Sequence, residues 1–145
     1  MASNAAEYAD SITSDIQART EEGYPFGILR ECDGAYVSDL DELHIDYPEA
    51  WGDGDNLDEI PEGWREASGM DYLSDVLDIQ YTISSDRQYR SARVCIAFGG
   101  PTAWIDTRTE QLEVAWWSAP EYRDLPRGFV SGLDDALEEL WEMGT

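Results

Sequence analysis

The chain has 145 residues, of which 32 are acidic and nine are basic, so its formal net charge is −23 and its isoelectric point is near 4.1. This charge excludes direct binding to nucleic acid or to an anionic membrane, because both attract positively charged proteins. No run approaches the roughly 18 apolar residues of a membrane span, and the first residues carry no export signal, so we expect a cytoplasmic protein. With 42% hydrophobic residues, the chain is predicted to fold as a single domain, residues 1–145.

The N-terminal segment, residues 1–30, is predicted to consist mainly of one helix. Apolar side chains recur at helical spacing over residues 3–22. Gly23 and Pro25 then interrupt the pattern, because glycine favours a helix C-terminus and proline cannot continue a helix.

Residues 31–78 follow as an acidic segment that contains several glycines and prolines. Such a composition predicts loops and short helical turns, with one short helix over residues 69–77. Bulky apolar residues recur throughout the segment, so we expect it to pack against the rest of the chain rather than to remain disordered.

Residues 79–117 show the period of two that is typical of a β-meander, with residues 102–106 as one of its strands. The sequence Gly99-Gly100-Pro101 lacks the spacing of a phosphate-binding loop and is predicted to be a turn. A last helix is predicted over residues 129–143, with an apolar stripe that should lie on the sheet. The expected fold class is therefore α+β: a three- to four-stranded antiparallel sheet with N- and C-terminal helices packed on it and an acidic, loop-rich insertion.

The negative charge is segregated along the chain. Residues 1–30 carry a net charge of −3, residues 31–78 carry −15, residues 79–128 are neutral, and residues 129–145 carry −5. All nine basic residues are arginine. General adaptation to high salt is an alternative explanation, but an acidic coat of that kind should cover every exposed surface. The segregation favours an acidic surface with a function, with solubilising loops as the simpler alternative.

Two groups of carboxylates are the candidate partner-binding residues. In the acidic segment they recur every two to four residues, and in the last helix they follow two i, i+4 rows with no lysine or arginine between them. An ordinary solvated helix face usually mixes both signs of charge. The candidate acidic face comprises Asp39, Asp41, Glu42, Asp46, Glu49, Asp53, Asp55, Asp58, Glu59, Glu62, Glu66, Asp134, Asp135, Glu138, Glu139 and Glu142.

Metal and catalytic sites are weakly supported. Residues 53–59 are rich in Asp, but they fail the calcium-loop spacing at its fifth, sixth and twelfth positions. His44 is the single histidine, and Cys32 and Cys95 are too far apart in sequence for a CxxC metal motif, so no metal or other cofactor is expected. A Cys–His nucleophile is disfavoured, because neighbouring carboxylates raise the pKa of a thiol.

The neutral strands carry the remaining features of interest. Trp116 and Trp117 should point to opposite faces of one strand, so one is expected in the core and Trp117 is a possible exposed aromatic anchor for a partner. Arg87, Arg90 and Arg93 are too few for a nucleic-acid patch and are expected to pair with the acidic surface.

Three stretches, Phe98–Thr107, Leu112–Trp117 and the acidic helix ending in Leu137–Trp141, resemble small acidic proteins of phages, plasmids and conjugative elements. The resemblance covers about residues 70–143 and implies a role of the anti-restriction or anti-CRISPR type, in which several inhibitors act as DNA mimics. That class shares no sequence motif, so no residue role is transferred by alignment.

The leading hypothesis is a non-enzymatic inhibitor of a host defence nuclease, of anti-CRISPR or anti-restriction type. Its acidic face would mimic DNA and occupy the basic DNA-binding channel of a nucleic-acid-binding protein. The same charge distribution fits an immunity protein or antitoxin that neutralises a basic toxin nuclease. A carboxylate-based hydrolase is a third interpretation, which has little specificity among 32 acidic residues.

Overall fold

The computed structural model describes residues 4–117 and 119–144 and confirms the α+β class. The helices are α1 (Asn4–Glu21), α2 (Leu40–Asp46), α3 (Gly69–Leu73) and α4 (Arg127–Met143), with a 3₁₀ turn at Pro48–Ala50. The strands are β1 (Ile28–Arg30), β2 (Tyr36–Val37), β3 (Trp64–Glu66), β4 (Asp78–Ile83), β5 (Tyr89–Ala97), β6 (Thr102–Asp106), β7 (Gln111–Ala115) and β8 (Glu121–Asp124). No helix in the described part of the chain is both long enough and apolar enough to span a bilayer.

The predicted meander is present and contains one more strand than expected. Its order is β4-β5-β6-β7-β8, and each strand pairs antiparallel with the next. Strand β8 was missed because it is an edge strand without apolar alternation. Its inward positions are held by Glu121 and Arg123, and the guanidinium of Arg123 contacts Asp10 of α1 at 2.7 Å instead of entering an apolar core.

Helices α1 and α4 cover one face of this sheet. The face is built from cross-strand neighbours such as Val94, Ile105 and Leu112, all of which are fully buried. Helix α1 packs over β7 and β8, whereas α4 packs over β5. The apolar stripe predicted for α4 is buried against the sheet, as expected: Phe129, Val130, Leu133, Ala136 and Leu137.

The acidic segment and the three residues before it contain a second sheet that the sequence analysis did not predict. Strands β2, β1 and β3 form it in that spatial order, and each has only two or three residues, too few to show a period of two. Its buried side chains form a separate small core of Ile28, Val37, Leu43 and Trp64. The segment is therefore a packed structure rather than a set of loops.

The short helix α3 joins this small sheet to α4. It ends at Leu73, four residues before the predicted end, and it begins with a capping box in which Ser68 and Asp71 exchange hydrogen bonds. The two helices approach closely at Gly69, where an added Cβ would lie 2.7 Å from the carbonyl oxygen of Gly132 and 2.9 Å from the Cβ of Ala136. Only glycine fits at this position, because a side chain would come too close to the backbone of the neighbouring helix.

We expect Gly69→Ala to destabilise the protein by about 1–3 kcal/mol, because the new methyl group must push α3 away from α4. Gly128→Ala in α4 is the matched control, since its Cβ would meet only a Thr20 methyl group at 3.5 Å and alanine favours a helix. Urea unfolding of both variants measures the difference. Equal stability of Gly69→Ala and the wild type would contradict the close contact.

Candidate acidic binding surface

The outward side of α4 carries four exposed carboxylates, which we call the helix acidic face: Asp135, Glu138, Glu139 and Glu142. An α-helix turns roughly 100° per residue, so these positions fall on the arc opposite the buried stripe. Within the described residues, Asp135, Glu138 and Glu139 contact no arginine closely enough to form an ion pair. Packing of the apolar stripe therefore fixes which carboxylates face solvent.

Asp134 does not belong to this face, although the sequence analysis placed it in the same row as Glu138 and Glu142. Its side chain is half-buried and accepts a hydrogen bond of 2.5 Å from the hydroxyl of Tyr89 at the start of β5. Burial raises the pKa of Tyr89 above its usual range, and the hydrogen bond to Asp134 raises it further. The carboxylate of Asp134 is thus used within the fold. The contact joins residues 45 positions apart, which no local pattern could reveal.

Three predicted carboxylates of the acidic segment also accept hydrogen bonds from the backbone: Asp39, Glu42 and the exposed Asp55, which accepts one of 2.7 Å from the N–H of Gly52. Asp39 is the N-cap of α2, and its Oδ1 accepts a hydrogen bond of 2.9 Å from the backbone N–H of Glu42. Glu42 in turn accepts a hydrogen bond of 2.7 Å from the backbone N–H of Ser38. Asp39 and Glu42 are half-buried and satisfy free N–H groups at the start of the helix. The prediction that Asp39 and Glu42 belong to the partner-binding set is therefore corrected.

Except for Asp39 and Glu42, the predicted carboxylates of the segment are exposed, and we call these nine the segment acidic face: Asp41, Asp46, Glu49, Asp53, Asp55, Asp58, Glu59, Glu62 and Glu66. Most of them lie in the loop over residues 51–63 or next to it. That loop is held by specific contacts, as the recurrence of bulky residues predicted. The indole N–H of Trp51 donates to the carbonyl of Glu59 at 3.0 Å, and the His44 ring stacks on Trp51 with 3.9 Å between centroids.

Within the described residues, the arginines that form ion pairs do so with carboxylates other than those of the segment acidic face and other than Asp135, Glu138 and Glu139. Arg30 donates two hydrogen bonds to Asp33, and Arg65 donates two to Asp71, each between 2.7 and 2.9 Å. These bonds are the largest cause that holds the pKa values of Asp33 and Asp71 below their usual range. The remaining ion pairs are Arg93–Glu113, Arg123–Asp10, Arg123–Glu121 and Arg127–Glu110.

The expectation that the strand arginines pair with the acidic surface is wrong for Arg93. Its guanidinium lies over the Trp104 ring at 4.8 Å and contacts Glu113 at 2.9 Å, so it bridges β5, β6 and β7 on the uncovered side of the sheet. Arg87 and Arg90 are exposed, and neither forms an ion pair with a described carboxylate. All three belong to the neutral sheet.

Trp117 is 91% exposed, but for a different reason from the predicted one. Strand β7 ends at Ala115, so the tryptophan pair follows the strand, and Trp117 adopts a positive φ of 60°. Trp116 packs against the core with its ring 6.1 Å from that of Tyr8. The antiparallel register puts Trp117 at the end of the sheet away from Tyr89, and thus away from Asp134.

The residues considered for metal binding or nucleophilic catalysis lie apart. Cys95 is buried on β5 and its thiol donates to the carbonyl of Ala97, whereas Cys32 is exposed in a turn. The Nε2 of His44 contacts the carbonyl of Leu57 at 2.8 Å. Within residues 4–117 and 119–144, no three His, Cys, Asp or Glu side chains are grouped so that they could hold a metal ion.

Comparisons of the chain with protein-family models, with curated proteins and with solved structures find no match. The description of the candidate site therefore depends on the charge and geometry of its own residues. Those residues are the four carboxylates of the helix acidic face and the nine of the segment acidic face.

The Tyr89–Asp134 contact leads to a prediction about the titration of the phenol. Asp134→Asn should lower the pKa of Tyr89, because the tyrosinate would no longer face a carboxylate. Glu138→Gln is the matched control and should lower it less, since Glu138 is the weaker of the two charges acting on Tyr89. The absorbance of tyrosinate, followed as the pH rises, measures the pKa of Tyr89 in both variants. Comparison with Tyr89→Phe shows which part of the absorbance change belongs to Tyr89.

The same contact predicts a pH dependence of stability. The unfolded state loses the phenol proton first, because its pKa is the lower one, so stability should fall as the pH rises above about 10. Tyr89→Phe should lose less stability over this range. Identical titrations of Asp134→Asn and Glu138→Gln would contradict the internal role of Asp134.

Proposed function

We propose that this protein inhibits a nucleic-acid-binding defence nuclease, of the CRISPR or restriction type, by presenting carboxylates where the nuclease binds DNA phosphates. The observation that carries the proposal is the distribution of ion pairs. Arg30 and Arg65 neutralise Asp33 and Asp71, whereas Asp135, Glu138, Glu139 and the carboxylates of the segment acidic face form no ion pair with a described arginine.

The spacing of the carboxylates on α4 supports mimicry of a phosphate array. Asp135 and Glu139, like Glu138 and Glu142, are four residues apart and therefore about 6 Å apart along the helix axis. Duplex DNA carries one phosphate charge per roughly 1.7 Å of axis when both strands are counted. The four carboxylates from Asp135 to Glu142 lie within about 10 Å along the helix axis, or one charge per roughly 3.5 Å, which is close to the roughly 3.4 Å per phosphate of one DNA strand.

The energetic cost of the helix acidic face also favours a binding role. Like charges at i, i+4 destabilise a helix by about 0.2–0.5 kcal/mol per pair. Lysine is absent from the chain, and α4 has its one arginine at its first residue, so no base within the acidic rows offsets the repulsion. A partner with positive charge would relieve it, which adds to the free energy of binding.

The two acidic faces are linked through α3. This helix follows β3 directly in the chain, and Gly69 packs against Gly132 and Ala136 of α4. On the helical wheel, Glu139 and Asp135 both lie on one side of those two positions and are the carboxylates of the helix acidic face nearest to them. Carboxylates on such a packed scaffold lose little conformational entropy on binding.

The mechanism that follows is competition without catalysis. Carboxylates steer the protein toward a basic channel, bind its lysines and arginines, and exclude DNA from the same groups. Binding should therefore weaken steeply as salt rises, and excess DNA should displace the protein.

A competition experiment tests the proposal. Tagged protein is used to capture nucleases from a panel of purified CRISPR and restriction complexes at about 50 mM and about 500 mM salt, because screening separates electrostatic from apolar binding. We expect capture at low salt that duplex DNA competes away, together with inhibition of DNA cleavage. Capture that DNA does not affect would contradict mimicry, and capture of a toxin nuclease alone would favour an immunity protein.

Charge-neutralising variants locate the binding surface. Each variant removes three exposed carboxylates by Asp→Asn or Glu→Gln substitution. The helix variant changes Asp135, Glu138 and Glu139; the segment variant changes Asp53, Asp58 and Glu62; the control variant changes Asp15, Glu21 and Glu22 of α1 and the residue after it.

We expect the helix and segment variants to weaken inhibition at least about tenfold, which corresponds to about 1.4 kcal/mol. The control removes the same net charge and should retain most of the activity. Its two glutamates lie at the C-terminus of α1, where negative charge opposes the helix dipole, so their neutralisation does not endanger the fold. Equal losses in all three variants would mean that net charge, and not the two acidic faces, carries the effect.

A further inference from the structure

A cavity of about 600 Å³ lies where the five-stranded sheet and its helix α1 meet the small sheet and α3. Its size is within the range of about 300–1,000 Å³ that is usual for small-molecule sites. Tyr8 and Ile12 of α1, Ile96 of β5, Leu29 of β1 and Val76 line its apolar part. None of the carboxylates of the two acidic faces lines it, so the cavity is separate from the surface described above.

A positively charged group and two phenols converge in the cavity: Arg19 of α1, Tyr36 of β2 and Tyr72 of α3. Burial raises the pKa of Tyr72 to about 12, while the positive charge of Arg19 acts on the same phenol in the opposite direction. Tyr36 also acts on Tyr72, and all three residues line the same cavity. They provide a cation and two hydroxyl donors in a cavity whose other lining residues are apolar except for Asp71, Ser74 and Asp75.

Arg19 is available to a ligand because it has no carboxylate partner among the described residues, although the chain carries a net charge of −23. Its Nε donates to the carbonyl of Pro25 at 3.2 Å, which holds the side chain in place. Two acidic residues line the cavity. Asp71 is neutralised by Arg65, and Asp75 is exposed, which puts it at the rim.

The cavity is elongated along α1. Tyr8 and Arg19 are eleven residues apart, so they lie about 16 Å apart along the helix axis. Aromatic side chains are prominent in the wall, namely Tyr8, Phe26, Tyr36 and Tyr72. Such walls favour a flat aromatic body through offset or edge-to-face contacts, and the cation defines which end of a ligand is held.

We propose that this cavity binds a small aromatic carboxylate. Its carboxylate accepts hydrogen bonds from Arg19, Tyr36 and Tyr72, and its rings contact the apolar part lined by Ile12 and Ile96. Charge-assisted hydrogen bonds from a guanidinium are the strong contacts of such a site. The proposal is independent of the proposed function, because the cavity and the two acidic faces share no residue.

Binding of 2-naphthoate and of 2-naphthamide tests the proposal. The two probes have the same shape, but the amide is neutral. We expect 2-naphthoate to bind at least about tenfold more tightly, because only the carboxylate gains the charge-assisted bond. A titration followed by backbone NMR measures the affinity for each probe and locates its binding site. We expect chemical-shift changes at Tyr72 and Ile96. Equal affinity for the two probes, or shifts elsewhere, would overturn the proposal.

Substitutions of arginine test whether Arg19 is the residue that contacts the carboxylate of the ligand. Arg19→Gln should weaken 2-naphthoate about tenfold and leave 2-naphthamide unchanged, whereas Arg19→Lys should retain part of the preference. Arg108→Gln is the matched control, because it removes the same charge from an exposed turn with no ion pair among the described residues. Equal losses in Arg19→Gln and Arg108→Gln would overturn the assignment. The affinity for the neutral probe, 2-naphthamide, shows whether the cavity of Arg19→Gln is still folded.

Discussion

The burial of one face of the five-stranded sheet beneath α1 and α4 is the constraint on which the other features depend. Apolar contact must outweigh the self-repulsion of a chain with a net charge of −23. Because the buried stripe of α4, centred on Leu133, must face the sheet, it fixes the rotation of that helix about its own axis. This rotation turns Asp135 and Glu139 outward and turns Asp134 toward β5, so core packing decides which charges a partner can contact.

The scarcity of cations explains how the acidic surface is organised. Arg65 links β3 to α3 through Asp71, and Arg123 links β8 to α1 through Asp10, so arginines are used where elements meet. Exposed ion pairs contribute only about 0–1 kcal/mol each, and their main effect here is to determine which carboxylates are neutralised. Outside these junctions the acidic segment has no basic residue that could neutralise its carboxylates. This supports the proposal that a basic partner neutralises them.

The two candidate sites use opposite properties of the molecule. The acidic faces are exposed, polar and negative, whereas the cavity is recessed, is lined by aromatic side chains and contains the positive charge of Arg19. The small sheet keeps its own core around Trp64, separate from the larger core, and residues from both parts of the molecule line the cavity. Binding at the cavity would couple the two halves, since its wall takes residues from both.

Sequence alone determined the elements that have a strong local period: α1, α4 and the strands β4 to β7 were predictable because one side of each is regularly apolar. It also determined the segregation of charge. Tertiary structure decided the rest, because β1, β2 and β3 are too short to show a period and β8 has ionic partners in place of apolar ones. The same holds for the sites: the hydrogen bond between Tyr89 and Asp134, and the placement of Arg19 and Tyr72 in one cavity, bring together residues far apart in the chain, which no local pattern records.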